Sequence, residues 1–537
     1  MTMRMPGSFI EEGGRNPLAV LAVSTSVPAF VGYTAKADQG SRSLRNTPWR
    51  IASLADFEQH FGGSPLATAV RFSFAESAST EEGTLTLASG SYRLQQTHGF
   101  YLLHSAMRLY FLNGGGPCYV VSVGGFEGSQ GSKGESGGVQ VSAAALLAGL
   151  SALQGESEPA VVLIPEAVLL SKAECAGVQN ELLVQCGNSL QLQARNRFAI
   201  LDVHDGHQAR NDGTSDCIEE FRTVIGVGQA GDGDGNGNGN GNESGNALSY
   251  GAAYYPWLHT NVLAASAVGF RNLATDSLPA LVAVLQQELL MLKMTPLRRS
   301  RLQVQASLIA AALASNTKAQ AALDKRWAAI SPAFKAVQIE MVRQLNLLPP
   351  SAAIAAVFAA TDVARGVWKA PANVALNAVL SPAVTLSDAD QAPLNIDVLQ
   401  GKSINAIRAF PGRGAMVWGS RTLDGNSNDW RYISVRRHAM MIEQSAQRVL
   451  AAFVFESNDA ASWTAVRVSL EEFLYSQWRQ GALAGAKPED AFAVQVGLGI
   501  SMTQADVEAG LMHVILLLAP ARPAEFIEIR LTQQLRM

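Results

Sequence analysis

The chain is poor in the residues that mark several large protein classes. It has four cysteines among 537 residues, and their spacing fits neither a CxxC pair nor a zinc pattern, so we expect buried thiols and no disulfide framework. The 41 lysines and arginines do not outnumber the 45 acidic residues. This balance argues against nucleic acid as the main partner, because binding phosphate needs a cationic surface.

Long apolar runs and a secretory leader are also missing. The most apolar stretches, such as HVILLLAPA, are too short to span a bilayer, so we expect no direct membrane insertion. The first residues, MTMRMPGSFIEEGG, lack the apolar segment of a signal peptide. We therefore expect the protein to fold and assemble in the cytoplasm.

Apolar residues are abundant instead. They make up 48% of the chain against 16% charged residues, enough for large cores, and the length favours about three domains. Helical and buried-strand patterns alternate between residues 141 and 203, which favours a parallel sheet with helices on its faces. The segments FSFAES and GTLTLAS alternate as β-hairpins do. The sequence therefore predicts an α/β and α+β multidomain fold with mixed sheets.

Catalytic motifs are missing as well. There is no nucleophile elbow, Walker lysine or dinucleotide-binding glycine motif, and we expect neither enzymatic activity nor a cofactor. The stretch FPGRGAMVWGSRTL does place Arg413 in a glycine loop, as phosphate-binding loops do. A strand pattern follows it, however, whereas a phosphate site needs the amides of a helix N-terminus. We predict that Arg413 and Arg421 pair with carboxylates or carbonyls and that the loop builds a sheet.

The segment ILDVHDGH is a candidate metal site. It places Asp202, His204, Asp205 and His207 just after a buried strand, and ligands collect at the carboxyl ends of strands in open α/β sheets. Two histidines and a carboxylate can hold a metal, but their i,i+3 spacing suits a helix and a loop is predicted here. A polar loop with Asp–Gly turn chemistry is favoured. An α/β enzyme or metal-binding protein with a site near these residues is the alternative.

A second metal pattern lies in the low-complexity residues 228–246. The spacing of a calcium-binding loop is satisfied there by Asp232, Asp234, Asn236, Gly237 and Glu243. Alternating Gly and Asn residues meet this pattern easily, and no clear amphipathic helix flanks it. A flexible linker is the favoured interpretation, and calcium binding stays open.

Both ends of the chain read as strands. An unpaired strand with an apolar face is prone to aggregate, so such ends make sense if each adds to a sheet of a neighbouring chain. Donation of this kind is directional and produces rings or helical arrays. The candidate inter-subunit residues are Phe9, Ile10, Glu11, Phe526, Ile527, Ile529 and Leu531.

Several long motifs resemble the tail sheath proteins of contractile phage tails and phage tail-like injection particles. PGSFIEE and STSVPAFVGYT resemble the N-terminal arm and first core strand of that family. Further matches keep the family's order along most of the chain: WRIASLADFEQHFGG, YLLHSAMRLYFLNGGGPCYVVSV, RFAILDVHDG, YGAAYYPWL, LPPSAAIAAVFAATDVARGVWKAPAN, INAIRAFPGRGAMVWGSRTL and DWRYISVRRHAMMIEQS. These are structural signatures and not catalytic ones.

The resemblance implies a function and a set of partners. Sheath subunits stack as rings around an inner tube, are joined by exchanged terminal strands, and contract on a baseplate trigger to drive the tube through a target envelope. The implied partners are copies of the chain itself, the inner tube protein, baseplate proteins, and tail terminator or cap proteins. The particle is a phage tail or a related particle that is released outside the cell.

The resemblance and the sequence patterns together predict five segments. Residues 1–23 form the N-terminal arm, and residues 24–125 the first part of the core, with a β insertion at about 64–98. Residues 126–400 form a middle and outer α/β region that contains the linker 228–246. Residues 401–522 form the C-terminal inner sheath domain, and residues 523–537 the C-terminal arm.

One helix of the predicted inner domain is a candidate tube contact. RRHAMMIEQSAQRVLAAF places Ile442, Ala446, Val449 and Phe453 on one buried face. The opposite face carries Glu443, Gln444, Gln447 and Arg448. A solvated polar face is the simpler interpretation. A charge-based contact with the tube is the alternative, because a sheath that must release its tube favours polar contacts.

Overall fold

The computed structural model describes residues 20, 22–77, 83–126, 141–187, 197–210, 216–226, 247–313 and 317–523. The chain divides into two compact units. The larger unit is formed by Thr25–Ala364 and Ala370–Ile433. The smaller unit contains the described residues of Met1–Ser24, Arg365–Lys369 and Ser434–Met537.

Strands and helices alternate along most of the chain. The strands, in chain order, are β1 Pro28–Tyr33, β2 Asp38–Gln39, β3 Arg42–Ser43, β4 Trp49–Ile51, β5 Arg71–Glu76, β6 Thr84–Leu87, β7 Gly90–His98, β8 Cys118–Gly124, β9 Val161–Leu163, β10 Phe198–Asp202, β11 Gly251–Tyr255, β12 Leu258–Thr260, β13 Leu347–Leu348, β14 Val374–Ala375, β15 Val379–Pro382, β16 Ile404–Phe410, β17 Gly414–Val417, β18 Phe492–Gln495 and β19 Ile515–Leu518.

The helices range from one turn to more than five turns. In chain order they are α1 Leu54–Phe61, α2 Leu103–Leu112, α3 Ala143–Ala152, α4 Lys172–Gly187, α5 Cys217–Val224, α6 Leu278–Met291, α7 Pro296–Ser307, α8 Ile309–Ala312, α9 Thr317–Ile330, α10 Pro332–Leu345, α11 Ser351–Arg365, α12 Asp388–Asn395, α13 Ile433–Ala451, α14 Ala460–Arg479, α15 Pro488–Ala491 and α16 Gln504–Glu508.

A nine-stranded sheet forms the centre of the larger unit, in the order β14-β17-β16-β11-β10-β9-β1-β8-β4. In this order, the six neighbouring strands β16, β11, β10, β9, β1 and β8 run parallel to one another. Toward one edge β17 pairs antiparallel with β16, and at the other edge β4 pairs antiparallel with β8. Strands β1, β9, β10 and β11 are buried along their whole length, as expected for parallel strands covered on both faces. The predicted α/β architecture with mixed sheets is confirmed.

Helix α3 approaches this sheet closely because of one glycine. A Cβ atom added to Gly149 would lie 2.3 Å from Cγ1 of Val123 on β8 and 2.7 Å from Cγ1 of Val31 on β1. Any side chain there would push the helix off the strands, since real Cβ contacts are longer than 3 Å. Glycine at this position therefore sets the distance between helix and sheet.

Two further parts of the larger unit follow the sequence patterns. The β insertion forms a three-stranded antiparallel sheet in the order β5-β7-β6. The helices α6 to α10 follow one another, with Trp327 of α9 buried, and Phe270, which precedes α6, stacks on Phe334 of α10 with ring centroids 4.0 Å apart. Helix α1 begins at Leu54 and ends at Phe61.

The compact units divide the chain at a different place from the predicted inner-domain boundary at residue 401. Strand β16 pairs with β11, and β17 pairs with β16, so residues 404–417 extend the central sheet of the larger unit. The smaller unit takes up the chain again at Ser434. The FPGRG loop therefore does build a sheet, but that sheet belongs to the larger unit.

Candidate functional site: assembly surfaces of the smaller unit

Helices α13 and α14 build the core of the smaller unit. Ile442, Ala446 and Val449 of α13 are buried as their spacing predicts, and they join one cluster with Val466 and Leu470 of α14. Phe453 packs against this cluster while partly exposed. The Asp459 carboxylate accepts the N–H groups of Ala461 and Ser462 at 3.0 Å and so caps the start of α14.

A two-stranded antiparallel sheet covers this core. Phe492 pairs with Leu518, and Val494 pairs with Leu516, and all four side chains face the cluster. The alternation of a strand then turns Ile515 and Leu517 outward, where they are 41% and 51% exposed. The sheet thus has an apolar outer face as well as an apolar inner face.

Within the part of the chain that the structure describes, no third strand joins this sheet, and the one neighbouring bridge, between Leu483 and Pro520, lies beyond the end of β19. A groove of about 550 Å³ runs beside β18. Its lining combines apolar and acidic side chains: Tyr475, Pro488, Phe492, Ala493, Val494, Glu471, Glu472 and Glu489. An open strand edge beside an apolar groove is the arrangement that accepts an added strand.

The described residues that adjoin the two terminal segments are held within the smaller unit. The backbone N–H of Val23 donates to Ser445 Oγ at 3.1 Å, so the last residue of the predicted N-terminal arm is fastened to α13. After β19, the N–H of Ala521 donates to the carbonyl of Ala482 at 3.1 Å. The arm residues predicted to join subunits, Phe9 to Glu11 and Phe526 to Leu531, lie outside the described residues.

The polar side chains of α13 lie on the outer face of the helix, as their spacing in the sequence predicts. Glu443, Gln447 and Arg448 are exposed and Gln444 is partly exposed, while the opposite face is buried. The structure contains no second chain against this face, so its predicted contact with a tube stays a prediction.

Burial shifts the pKa of two basic groups near the start of α13. Burial lowers the pKa of His438 to about 4, and a hydrogen bond with Gln477 opposes this only in part. The ring of His438 also lies 5.9 Å from that of Trp368. Burial lowers the pKa of Arg436 to about 10. His438 is therefore a neutral core residue of this unit.

The loop after β10 does not gather a metal site. His204 Nδ1 lies 3.2 Å from Asp205 Oδ2, its Nε2 lies 3.0 Å from the Leu170 carbonyl, and the ring of His207 packs on Trp257. Across the described residues, no group of three or more His, Cys, Asp or Glu side chains could hold a metal. The calcium-like pattern at Asp232, Asp234, Asn236, Gly237 and Glu243 lies outside the described residues.

Asp202 has a structural role that its sequence did not reveal. Its carboxylate accepts the N–H of Ser351 at 2.8 Å, at the first residue of α11. It is fully buried, and burial raises its pKa to about 7. The side chain thus links the end of β10 to the start of a helix that follows 149 residues later.

Glu166, which the sequence analysis did not single out, likewise links the end of a strand to the start of a helix. Its carboxylate accepts the N–H groups of Tyr33, Leu102 and Leu103 at 2.7, 2.9 and 3.2 Å. It therefore joins the end of β1 to the start of α2, and burial raises its pKa to about 7. A lone carboxylate directly after the buried strand AVVLIP was the available signal.

The FPGRG loop is a hairpin and not an anion site. Gly412 and Gly414 have φ angles of 73° and 74°, which favour glycine, and they turn β16 into β17. Arg413 donates to Asn373 Oδ1 at 2.9 Å. Arg421 is buried and donates to the carbonyls of Asn395 and Gly425 at 3.3 and 3.2 Å. Both arginines thus bind oxygen atoms of the protein itself.

None of the helices formed by described residues is long and apolar enough to cross a membrane.

Residues 294–423 match the family model of the phage tail sheath protein central domain. No curated protein matches the chain significantly.

Solved structures with the same fold cover almost the whole chain. The chain is 24% identical to a chain of the sheath complex of PVC, an extracellular contractile injection system, in its contracted state, with a TM-score of 0.55 and 99% coverage of both chains. It is 26% identical to a chain of the contracted helical sheath of the anti-feeding prophage, with a TM-score of 0.54, covering 99% of this chain and 100% of that one. A chain of the anti-feeding prophage baseplate gives the same four values. The chain thus has the fold of the sheath chains of contractile injection systems, and its residues 294–423 match the central domain of phage tail sheath proteins.

Proposed function

We propose that this sheath subunit polymerises around an inner tube and contracts to drive that tube through a target envelope, without catalysing a reaction. The observation that carries the proposal is the two-stranded sheet of the smaller unit. It is packed on one face, apolar on the other, and joined by no third strand within the described residues.

In this proposal the terminal arms of neighbouring subunits occupy the two long edges of this sheet. One arm adds beside β18, where the groove of about 550 Å³ offers an apolar floor, and another adds beside β19. Main-chain hydrogen bonds then hold the subunits together while their larger units move, because such bonds depend on the strands alone. Both arms begin at the smaller unit, which supports an exchange between smaller units.

The tube is proposed to contact the polar face of α13 through Glu443, Gln447 and Arg448. Polar rim contacts of this kind contribute little affinity individually, which suits a tube that must slide. The further partners are baseplate proteins and tail terminator or cap proteins. Assembly takes place in the cytoplasm, and the finished particle acts outside the cell.

Negative-stain electron microscopy of the purified protein tests the arm exchange. We expect hollow striated tubes from the full chain and none from a variant that lacks residues 1–17. Circular dichroism and the sedimentation coefficient of the shortened chain would show that it still folds. Striated tubes from the shortened chain would contradict the exchange, and globular particles from both chains would contradict self-assembly as the main activity.

The tube contact needs a separate test, in which sheath is assembled on purified tube protein. We expect the triple variant Glu443→Ala, Gln447→Ala, Arg448→Ala to form empty sheath but to leave the tube unbound. A matched control removes exposed charges from α9, with Lys318→Ala and Lys325→Ala. Equal tube binding by the unchanged protein, the triple variant and the control variant would exclude the α13 face as the tube contact.

A further inference from the structure

Helix α7 of the larger unit has an exposed apolar stripe. Leu297 and Val304 of α7 are 64% and 58% exposed, and Leu308, the residue that caps its end, is 53% exposed; with Arg301 they lie at successive intervals of four, three and four residues. This spacing places the four side chains on one face of a helix. Arg298 is also exposed, and within the described residues neither arginine has a carboxylate partner. An exposed face with this spacing is typical of a helix that packs on another helix.

The stripe is rigidly held. Thr295 Oγ1 caps the start of α7 by accepting the N–H of Arg298, and Arg299 donates to the carbonyls of Leu289 and Leu292 at 2.9 and 3.3 Å. The opposite face is buried through Leu302 and Ala306. Because the helix is fixed before any partner arrives, little ordering entropy opposes docking on its outer face.

The stripe also belongs to the most basic part of the chain. Residues 292–335 contain eight lysines and arginines and one aspartate, whereas the whole chain has more acidic than basic residues. An acidic partner is therefore indicated, and a sheath supplies one in every neighbouring copy. Surfaces of opposite charge on one subunit produce directional, open contacts when the subunits polymerise.

Helix α4 offers the complementary face. Its exposed residues Glu174, Gly177, Glu181 and Val184 recur at helical spacing. Glu174 accepts hydrogen bonds from Ser171, and Glu181 accepts one from Gln185 at 3.5 Å, so both keep free acceptor positions on the outer face.

Gly177 is unexplained by the fold of one subunit. Glycine inside a helix is less favourable than alanine, yet a Cβ atom added to Gly177 would meet nothing within 4 Å. Gly149 on α3 has a packing reason inside the subunit, whereas among the described residues nothing packs against the position of a Gly177 side chain. A gap of this kind on an exposed helix face allows another helix to approach closely.

The two stripes match residue by residue. Positions 177, 181 and 184 have the same spacing as 297, 301 and 304. In parallel alignment Leu297 lies over Gly177 and Val304 over Val184. In antiparallel alignment through the same central pair, Leu297 falls opposite Gln185 and Val304 opposite Val178, each one residue away from Val184 and Gly177. Arg301 lies opposite Glu181 in both directions, so the central pair does not depend on orientation.

We propose that α7 of one subunit docks on α4 of a neighbouring copy, with Arg301 facing Glu181 and a large apolar side chain seated over Gly177. This contact joins the larger units and is additional to the exchange of arms between smaller units. It makes the sheath sensitive to salt, because exposed ion pairs are screened.

Charge reversal tests the pairing on the full chain. We expect Glu181→Arg and Arg301→Glu each to reduce the amount of sedimentable sheath at least tenfold at low salt, and the double variant to restore most of it. Loss of assembly in both single variants without rescue in the double variant would overturn the pairing and would indicate a different acidic partner for α7. Normal assembly of both single variants would overturn it equally.

A glycine substitution separates docking from folding. We expect Gly177→Ala to raise the unfolding temperature of the isolated subunit and to weaken sheath assembly, and Gly177→Leu to weaken assembly further. A merely structural glycine would change both properties in the same direction. Unchanged assembly of Gly177→Leu would contradict the close approach.

Crosslinking identifies the partner copy directly. The four native cysteines are buried, so Glu181→Cys and Arg301→Cys variants mixed in one assembly should give a disulfide between two copies. The control pairs Glu181→Cys with Lys335→Cys, an exposed cation outside the stripe. Equal crosslinking of both pairs would overturn the assignment. Variants lacking residues 1–17 show whether a failure to assemble comes from the arms instead.

Discussion

The main-chain N–H of Val23 donates to the hydroxyl of Ser445, 3.1 Å away and 422 residues later in the sequence. Val23 itself is buried among the residues of α13 and α14. The end of the predicted N-terminal arm is thus bonded to the helix whose outer face is proposed to meet the tube. A force applied to the N-terminal arm would be transmitted to α13 through this hydrogen bond.

Replacing Ser445 with alanine should loosen that attachment. The buried N–H of Val23 would lose its acceptor, and an unsatisfied buried donor costs about 1–3 kcal/mol. We expect amide hydrogen exchange at residues 22–24 to accelerate, together with a lower denaturation midpoint of the smaller unit. Ser469→Ala is a matched control, because that buried hydroxyl has no partner within the described residues. Equal effects of the two changes would show that the bond is unimportant.

The smaller unit should lose stability in acid because of His438. Its folded pKa is about 4, below the ordinary value of 6.5, so the unfolded chain takes up the proton first as the pH falls. Stability is complete above pH 6.5 and decreases down to pH 4, by about 3 kcal/mol for a shift of this size. Chemical denaturation followed by hydrogen exchange in α13 would measure the change.

A His438→Gln variant provides the check on that assignment. Glutamine cannot titrate, so the loss of stability between pH 6.5 and pH 4 should shrink in the variant, even if its stability at pH 7 is lower. An unaltered pH profile would mean that other groups of the smaller unit dominate.

The larger unit should respond to acid in the opposite direction. Burial raises the pKa of Glu166 and of Asp202 to about 7 in the folded state, above their ordinary values of 4.5 and 3.8. Stability from these groups is complete below the unfolded values and decreases as the pH rises toward 7. We expect the denaturation midpoint of the larger unit to increase as the pH falls from 7 to 5. Glu166→Gln and Asp202→Asn should flatten this rise, and a steeper rise would contradict the assignment.

Local elements of the fold were predictable because short-range chemistry determines them. Helix α1 lies between Ser53, whose side chain accepts the N–H of Asp56, and Gly62. Thr503 and Asp506 have the spacing of a capping box, and they do cap the start of Gln504–Glu508. The apolar stretch HVILLLA contains β19. Caps, glycines and alternating apolar residues act within a few positions, so a single sequence contains them.

Long-range pairing was not predictable in the same way. Nothing near residue 404 indicates that β16 pairs with β11, which lies about 150 residues earlier, and this pairing places the FPGRG hairpin in the larger unit. Asp202 was considered as a metal ligand because it follows a strand, but its partner is the start of α11. A polar residue at a strand end can meet a ligand or a helix, and only the tertiary structure decides between them.

Two glycines in neighbouring helices should respond to alanine with opposite signs. In α3, the new Cβ atom of Gly149→Ala would lie 2.3 Å from Val123 and 2.7 Å from Val31. Overpacking of a well-packed core costs about 1–3 kcal/mol, which exceeds the gain in helix propensity, so the subunit should be destabilised. In α4, Gly177→Ala meets no atom within 4 Å and should stabilise the subunit by about 0.5–1 kcal/mol.

Urea denaturation of the unassembled subunit, followed by tryptophan fluorescence and circular dichroism, would measure both changes under the same conditions. Because the residue change is identical, differences in the unfolded chain cancel, and the comparison isolates the space beside each helix. Stabilisation by Gly149→Ala would mean that α3 can move off the sheet without penalty. Destabilisation by Gly177→Ala would mean that α4 is covered within its own subunit, and its exposed face would then be unavailable to a neighbouring copy.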